Sequence, residues 1–257
     1  MISQLEHIAR KAGKEILKWY DVEATYEQKS DDSPLTKADM ASHHSICKDL
    51  ASLTPEIPVL SEESADKTVT TDTYWLVDPL DGTKEFIKKT GEFTVNIALM
   101  KDGHPHLAVI YAPVPDLVYH AEIGSKAYKI ESGHKTEIRC RKNPGKNPVL
   151  VASKDHAGPK VMQLKELLDT EALQSMGSSF KFMLIAEGKA DFYLRDKPTM
   201  EWDIAAAHCI LKVAGGDVYQ MNGDVMRYQK PDLRNPAFFA IGDTTTKHKQ
   251  LLQKLGY

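Results

Sequence analysis

Four groups of acidic residues lie where predicted strands end or predicted helices begin. They are Asp39, the pair Glu62 and Glu63, the pair Asp78 and Asp81, and Asp203. Each group taken alone has an ordinary interpretation, because Asp-Pro and Asp-Gly are common turn dipeptides and an Asp at a helix start stabilises the free N–H groups there. Two adjacent Glu residues usually form a solvated turn. The four groups together indicate a site that does chemistry.

A ligand set made of carboxylates, without a usable Cys or His partner, suits a hard, oxygen-preferring cation, Mg²⁺ before Zn²⁺. The predicted tight turn from Asp78 to Thr83 offers two carboxylates, one able to bridge two ions and one able to hold a single ion, and the Leu80 carbonyl points into the same space. Gly82 permits close backbone approach, and the residues from Thr83 to Phe86 predict a short helix whose free N–H groups suit a phosphate. The pattern predicts metal-assisted phosphoester hydrolysis, in which the ions activate water and neutralise the leaving oxygen.

Hydrophobic periodicity predicts the elements that must position these residues. An amphipathic helix covers the first twenty residues, and a second helix runs from the N-cap Thr36 to about Leu53. Short apolar runs at 57–60 and 74–77 predict strands that deliver carboxylates at their C-terminal ends. Residues 92–139 alternate apolar runs with turn residues, which predicts an antiparallel meander.

Beyond a boundary near residue 145 the pattern changes to alternating strands and helices, which predicts a layered α/β half. The predicted elements are the strand VLVAS, helices around 158–168 and from about Ser178, the strand DFYL, a helix from about Asp203, the strand FFAIG and the helix KHKQLLQKL. We therefore expect two halves, residues 1–145 and 146–257, that share one site. The first half contributes the meander and most of the carboxylates.

The composition limits the class of protein. Lys and Arg total 33 and Asp and Glu total 36, a net charge of −3 that argues against a general nucleic-acid binder. No apolar run approaches the roughly 18 residues of a transmembrane helix, and the N-terminus lacks the apolar core of a signal peptide. We expect a cytoplasmic protein, with peripheral association on the cytoplasmic membrane face left open. Its scattered cysteines, Cys47, Cys140 and Cys209, indicate neither a disulfide framework nor a structural zinc site.

Three motifs, taken in order, carry a family resemblance. SEES at 61–64, WLVDPLDGT at 75–83 and WDIAA at 202–206 resemble the motifs of the inositol monophosphatase superfamily of Mg²⁺-dependent, lithium-sensitive phosphatases. Within it, SPLTKAD, GEFTVNIALM and GSSFKF resemble the CysQ-type 3′(2′),5′-bisphosphate nucleotidases, and DGTKEF stands where an inositol phosphatase typically has DGTTNF. The resemblance covers nearly the whole chain and implies a layered α-β-α-β-α sandwich.

The resemblance implies a role for each matched residue. The metal ligands, for two or three Mg²⁺ ions, are Glu62, Asp78, the Leu80 carbonyl, Asp81 and Asp203. The hydroxyl of Thr83, paired with Asp39, orients the nucleophilic water, because a carboxylate that accepts the Thr proton lets the Thr oxygen accept one from water. We expect Glu63 to support the site without binding metal.

Substrate contacts follow from the same resemblance. They are Glu62, Leu80, Asp81, Gly82, Thr83, His156, Ser178, Lys181, Arg195 and Asp203. Lys181 is expected to face the 5′-phosphate that is not cleaved, and the alternative for Lys181 and Arg195 is solvated surface charge. For His156 the alternative is an ordinary loop histidine. The remaining histidines that match no motif are interpreted as surface or core residues.

The implied reaction converts adenosine 3′,5′-bisphosphate to AMP and phosphate, with 3′-phosphoadenylyl sulfate as a second substrate, in sulfur assimilation. One alternative is an inositol monophosphate or fructose bisphosphate specificity, for which Asp196 or Glu201 would have to supply the acidic contact to the sugar. A second alternative is a non-catalytic metal or phosphate sensor. A haloacid dehalogenase mechanism is disfavoured, because the spacing is D-x-x-D rather than D-x-D. Both a monomer and a homodimer remain open.

Overall fold

A computed structural model of the chain describes residues 1–22, 26–28, 34–145, 147–153 and 158–257. The helices are α1 (Ile2–Tyr20), α2 (Lys37–Leu53), α3 (Thr83–Ile87), α4 (Pro159–Leu167), α5 (Phe180–Ala186), α6 (Glu201–Val213) and α7 (His248–Lys254). The strands are β1 (Tyr26–Gln28), β2 (Pro34–Thr36), β3 (Val59–Ser61), β4 (Thr73–Asp81), β5 (Thr94–Lys101), β6 (His104–Ala112), β7 (Leu117–Glu122), β8 (Tyr128–Glu131), β9 (His134–Glu137), β10 (Leu150–Ala152), β11 (Leu173–Ser175), β12 (Phe192–Arg195), β13 (Thr199–Met200), β14 (Asp217–Gln220), β15 (Arg234–Asn235) and β16 (Phe238–Ile241).

The larger sheet contains the predicted meander. Its seven strands lie in the order β3-β4-β5-β6-β7-β8-β9, with β3 parallel to β4 and every other neighbouring pair antiparallel. The meander prediction for residues 92–139 is confirmed by β5 to β9. Strand β4 is longer than the apolar run at 74–77 predicts, because its pairing with β5 continues to Asp81. The prediction of a tight turn from Asp78 to Thr83 is therefore wrong for residues 78–81, which continue the strand.

The smaller sheet lies in the second half of the chain. Its five strands lie in the order β11-β10-β12-β16-β14. Strand β10 is parallel to both of its neighbours, and β16 is antiparallel to both of its neighbours. Two further strand pairs, β1 with β2 and β13 with β15, are antiparallel. The predicted helices and strands of this half are present, and α6 begins at Glu201, two residues before the predicted start.

Alternation along β4 shows how the larger sheet is covered on both faces. Trp75 and Val77 belong to a core formed with α1 and α2, whereas Tyr74 and Leu76 belong to a core formed with α5 and α6. Helix α1 presents apolar residues at the predicted three- and four-residue spacing, Leu5, Ile8, Ala12 and Ile16 among them, and all are buried.

Alternation along β16 shows that the smaller sheet is also covered on both faces. Phe238 and Ala240 face the α5 and α6 layer, and Phe239 and Ile241 belong to a core that includes residues of α4 and α7. The layers therefore run α1/α2, larger sheet, α5/α6, smaller sheet, α4/α7, which confirms the predicted α-β-α-β-α sandwich. The core between the two sheets draws on both halves of the chain, and the division near residue 145 stays a prediction. The described helices include none with the length and apolar character that a membrane span requires.

Candidate active site

Two neighbouring strands bring the first two acidic groups together. Ser61, the last residue of β3, pairs with Val77 in β4, and the next N–H, that of Glu62, donates to the Val77 carbonyl at 2.9 Å. This register places Glu62 beside Asp78. Carboxylate oxygens of Glu62, Asp78 and Asp203 lie within 4.8 Å of one another. Three residues from distant parts of the chain thus form one cluster, and Glu63 lies outside it.

A bulge in β4 turns a second carboxylate of the DPLDGT motif toward the same side. Asp78 pairs with Asn96 and Asp81 pairs with Thr94, so two residues of β4 lie opposite one residue of β5. In a regular strand Leu80 would share the face of Asp78, but Leu80 packs in the core with α1 and α2. The inserted residue therefore returns Asp81 to the face of Asp78. Proline suits this position, because it has no N–H to give to a ladder.

Helix α6 supplies Asp203 from the second half of the chain. Its carboxylate accepts a hydrogen bond from the Met200 N–H at 2.8 Å, and the Ser179 hydroxyl oxygen lies 3.3 Å from the Asp203 carbonyl oxygen. Asp203 is the third residue of the helix rather than its N-cap, so its carboxylate both closes the first turn and reaches the cluster.

The Asp81 carboxylate is held by three side-chain donors on one oxygen. Its Oδ2 accepts from the hydroxyl of Ser178 at 2.6 Å, from the hydroxyl of Ser179 at 3.0 Å and from the Asn96 amide at 3.3 Å. The Thr94 and Ser178 hydroxyls also lie 2.7 Å apart. These contacts orient the carboxylate and leave its other oxygen for a ligand. Asn96 and Ser179 lie within the motifs GEFTVNIALM and GSSFKF, but no role at the site is predicted for either residue from the sequence.

The electrostatics of the cluster favour a cation. Burial, followed by the charges of Glu62, Asp81 and Asp203, raises the pKa of Asp78 well above its usual range. Burial, followed by the charges of Asp81 and Glu62, raises the pKa of Asp203 in the same way. Asp78 is buried and Glu62 and Asp203 are half-buried; carboxylates this close repel one another, and a divalent cation with oxygen ligands relieves that repulsion. The donor set is entirely oxygen, which fits Mg²⁺.

The predicted Asp39–Thr83 pair is brought together beside the cluster. The Thr83 hydroxyl lies 3.2 Å from Asp39 Oδ1, and it also lies 3.3 Å from the Leu80 carbonyl oxygen. Asp39 is 2% exposed, and its Oδ2 accepts from the N–H of Thr36 at 2.8 Å and from the Thr36 hydroxyl. These last contacts are the capping box that begins α2.

A cleft of about 190 Å³ opens beside these residues. Its wall includes six of the predicted substrate contacts, Asp81, Gly82, Ser178, Lys181, Arg195 and Asp203, together with Lys84, Glu85 and Tyr193. Neither Asp196 nor Glu201 lines it. The Glu201 carboxylate is buried and accepts from the Gln229 N–H at 2.8 Å and the Lys230 N–H at 3.1 Å, which directs it away from the cleft.

Three cationic side chains line the cleft, those of Lys84, Lys181 and Arg195. Lys181 is 7% exposed, so it is not a solvated surface charge, and its Nζ donates to the Ser178 carbonyl at 2.6 Å and to the Met176 carbonyl at 3.3 Å. Burial lowers the pKa of Lys181 to about 8. Arg195 Nε is buried and has no hydrogen-bond partner among the described residues. Of the other four predicted contacts, Glu62, Leu80 and Thr83 do not line this cleft, and His156 lies outside the residues that the structure describes.

Comparison with known proteins finds a family model that matches nearly the whole chain. Residues 1–255 match the model of the inositol monophosphatase family. The 3′(2′),5′-bisphosphate nucleotidase CysQ of Salmonella typhimurium is 44% identical over 244 residues, which are 93% of this chain and 98% of that protein. The CysQ of Escherichia coli K12 is 43% identical with the same coverage.

Solved structures agree with this result. The crystal structure of CysQ from Bacteroides thetaiotaomicron, a bacterial member of the inositol monophosphatase family, matches at 40% identity and a TM-score of 0.78, covering 91% of this chain and 94% of that one. An inositol monophosphatase of Thermotoga maritima matches at 22% identity and a TM-score of 0.80, covering 99% of this chain and 96% of that one. The second likeness shows the fold alone.

Proposed function

The chain belongs to the inositol monophosphatase family, and from that premise we propose that it is a Mg²⁺-dependent phosphatase that removes the 3′-phosphate of adenosine 3′,5′-bisphosphate. The products are AMP and phosphate, and 3′-phosphoadenylyl sulfate is a second substrate. The observation that carries the proposal is the carboxylate cluster together with the Asp39–Thr83 pair and a cleft that is lined by cationic side chains and by Asp81 and Asp203. The relatives named as nucleotidases support the choice of substrate.

The carboxylates would hold two or three Mg²⁺ ions. The proposed ligands are Glu62, Asp78, the Leu80 carbonyl, Asp81 and Asp203. When bound, the ions activate water and neutralise the charge that develops on the leaving oxygen. The protein's own contribution is to gather these charges in a buried space, where the ions and the phosphate are held in one geometry.

The Asp39–Thr83 pair would handle the proton of the attacking water. The Thr83 hydroxyl donates to Asp39 Oδ1, so its oxygen is free to accept a hydrogen bond from water and to orient it. Asp39 keeps this orientation because Thr36 holds its other oxygen. A protein that only sensed metal or phosphate would need no such pair, which is why we favour the enzyme over the sensor.

The cleft would distinguish a nucleotide bisphosphate from an inositol phosphate by its second phosphate. Lys181 and Arg195, whose Nε has no partner within the described part of the chain, provide positive charge, and Ser178 lies between this end of the cleft and Asp81. Neither acidic candidate for contacts to inositol hydroxyls, Asp196 or Glu201, lines the cleft. We therefore place the 5′-phosphate at the Lys181 end and the 3′-phosphate at the carboxylates.

The proposed reaction suggests a setting. Adenosine 3′,5′-bisphosphate is the by-product of sulfate activation, so the enzyme would act in the cytoplasm as part of sulfur assimilation. Its partner would be a small nucleotide rather than a nucleic acid, consistent with the net charge of −3. Lithium would inhibit it, and both a monomer and a homodimer are compatible with a site built within one chain.

The substrate assignment is tested by comparing adenosine 3′,5′-bisphosphate with 3′-AMP, which lacks only the 5′-phosphate. We expect kcat/KM to be about 10–150-fold higher for the bisphosphate, the range given by one charge-assisted hydrogen bond of about 1.5–3 kcal/mol. Lys181→Met should remove most of this preference and leave 3′-AMP hydrolysis little changed. Equal kcat/KM for both compounds in the wild-type protein would contradict the placement of the 5′-phosphate.

A further inference from the structure

The bulge between Asp78 and Asp81 lacks the support that a regular ladder gives. Two residues of β4, Pro79 and Leu80, lie opposite Val95 alone, and Pro79 has no N–H. A bulge leaves one residue unpaired and increases the local twist. Within this bulge the Leu80 N–H donates to Asp78 Oδ1 at 3.1 Å, whereas the Pro79 carbonyl takes its donor from outside the sheet. The separation of the two carboxylates depends on the conformation of the bulge.

Helix α2 supplies that donor. The Ser42 hydroxyl donates to the Pro79 carbonyl at 2.7 Å, and Ser42 is 0% exposed. Because Asp39 and Ser42 are three residues apart, they lie on the same face of α2. Ser42 therefore contacts the bulge from the same helix face that carries the proposed water-orienting carboxylate.

The same face also contacts the other acidic segment. His43 Nδ1 lies 2.9 Å from the hydroxyl of Ser61, the residue that precedes Glu62. One helix thus bonds to the bulge of β4 through Ser42 and to the end of β3 through His43. Neither residue belongs to the carboxylate cluster or lines the cleft.

From these contacts we infer that Ser42 is a positioning residue that fixes the β4 bulge and with it the separation of the two metal-binding carboxylates, Asp78 and Asp81. The inference rests on the proposed function, since it assigns Ser42 a role in the metal affinity of that site. Without the hydroxyl, the Pro79 carbonyl loses this buried donor, and the bulge gains freedom to relax. The ligands are then less preorganised for the ion.

The test compares Ser42→Ala with Ser45→Ala. Ser45 lies on the same helix, and its hydroxyl is buried without a hydrogen-bond partner among the described residues. Both variants lose one hydroxyl and gain the same helix propensity, but only the first loses the bond to the bulge. Metal affinity is measured with Tb³⁺, an oxygen-binding ion whose luminescence is excited through a nearby tryptophan, here Trp202 beside Asp203. The Mg²⁺ concentration for half-maximal phosphate release is measured in parallel.

We expect Ser42→Ala to weaken Tb³⁺ binding and to raise the Mg²⁺ requirement about tenfold, with saturating Mg²⁺ restoring kcat. Ser45→Ala should match the wild type, and Ser42→Cys, a similar-sized side chain with a weak S–H donor, should be intermediate. Thermal unfolding without metal verifies that all variants are folded.

Two results would overturn the inference. One is Ser42→Ala binding Tb³⁺ as tightly as Ser45→Ala and the wild type. The other is a loss of kcat at saturating Mg²⁺ with unchanged metal affinity. A wild-type protein that neither binds Tb³⁺ nor releases phosphate with Mg²⁺ would instead refute the proposed function, and the inference about metal affinity would fail with it.

Discussion

Replacing Asp39 with Asn separates the proposed chemical role of this carboxylate from its structural role. In the wild-type protein Oδ1 lies 3.2 Å from the Thr83 hydroxyl, and Oδ2 accepts from the N–H and the hydroxyl of Thr36. The Asn side chain has the same shape as the Asp side chain, but its single carbonyl oxygen can face either Thr83 or Thr36 and not both. It also cannot take a proton from Thr83.

The expected magnitudes distinguish the two roles. Loss of the capping box costs about 1–2 kcal/mol of unfolding free energy. If the protein has a typical stability of at least about 5 kcal/mol, more than about 99% of it stays folded. Removal of a general base lowers kcat by roughly 10²–10⁴-fold. A loss of that size therefore cannot come from unfolding.

The assay is steady-state phosphate release from adenosine 3′,5′-bisphosphate at saturating Mg²⁺, with urea unfolding measured on the same samples. Thr36→Ala is the matched control, because it removes the cap hydroxyl that accepts from the Ala38 and Asp39 N–H groups at 3.2 and 3.4 Å. It also removes the hydroxyl's own bond to Asp39 Oδ2, but the Thr36 N–H still donates to that oxygen at 2.8 Å and keeps the carboxylate oriented. We expect it to lose a similar unfolding free energy but less than about tenfold in kcat. Equal losses of kcat in both variants, or an Asp39→Asn enzyme within tenfold of the wild type, would refute the proposed role.

Three further predictions follow from the structure. Gly82→Ala should lose at least about 1 kcal/mol of unfolding free energy in urea, because φ is 96° and a Cβ would lie 3.0 Å from the Glu92 carbonyl; an unchanged midpoint would contradict this. The KM for adenosine 3′,5′-bisphosphate should rise above pH 8, since the pKa of Lys181 is about 8 and its ammonium loses its charge as pH rises; the rise should disappear in Lys181→Met. Glu201→Gln should cost about 2 kcal/mol in urea unfolding, because it leaves the Lys230 ammonium without its buried counter-ion, and a neutral substitution would contradict the pairing.

Much of the first half of the fold could be predicted from local pattern. Helix α1 has a regular apolar stripe, and α2 begins at a capping box whose residues, Thr36 and Asp39, are readable in the sequence. The meander consists of apolar runs separated by turn residues. In each case the signal lies within a short segment, so no tertiary information is needed.

The bulge in β4 could not be predicted in this way. Asp78, Pro79, Asp81 and Gly82 carry strong local turn signals, and these favour a chain reversal after Val77. Pairing with β5 overrides them and extends the strand to Asp81. The extension of β4 depends on a partner strand that lies more than ten residues along the chain. The motif itself does not contain that information.

The residues that hold the site's carboxylates in place also could not be predicted from local sequence patterns. The motifs indicated Asp81 and Asp203, and the structure places both beside the cleft. Asn96 and Ser179, which hold Asp81, come from different layers of the sandwich, so their convergence requires the fold. Ser42 has no motif of its own, since its role depends on the bulge that it contacts.

The most direct test of the central claim is phosphate release with Mg²⁺ from adenosine 3′,5′-bisphosphate and from inositol 1-phosphate, each with and without lithium. We predict preference for the nucleotide and inhibition by lithium. Preference for inositol 1-phosphate would keep the metal site but contradict the roles given to Lys181 and Ser178. Release from neither substrate would contradict the account as a whole.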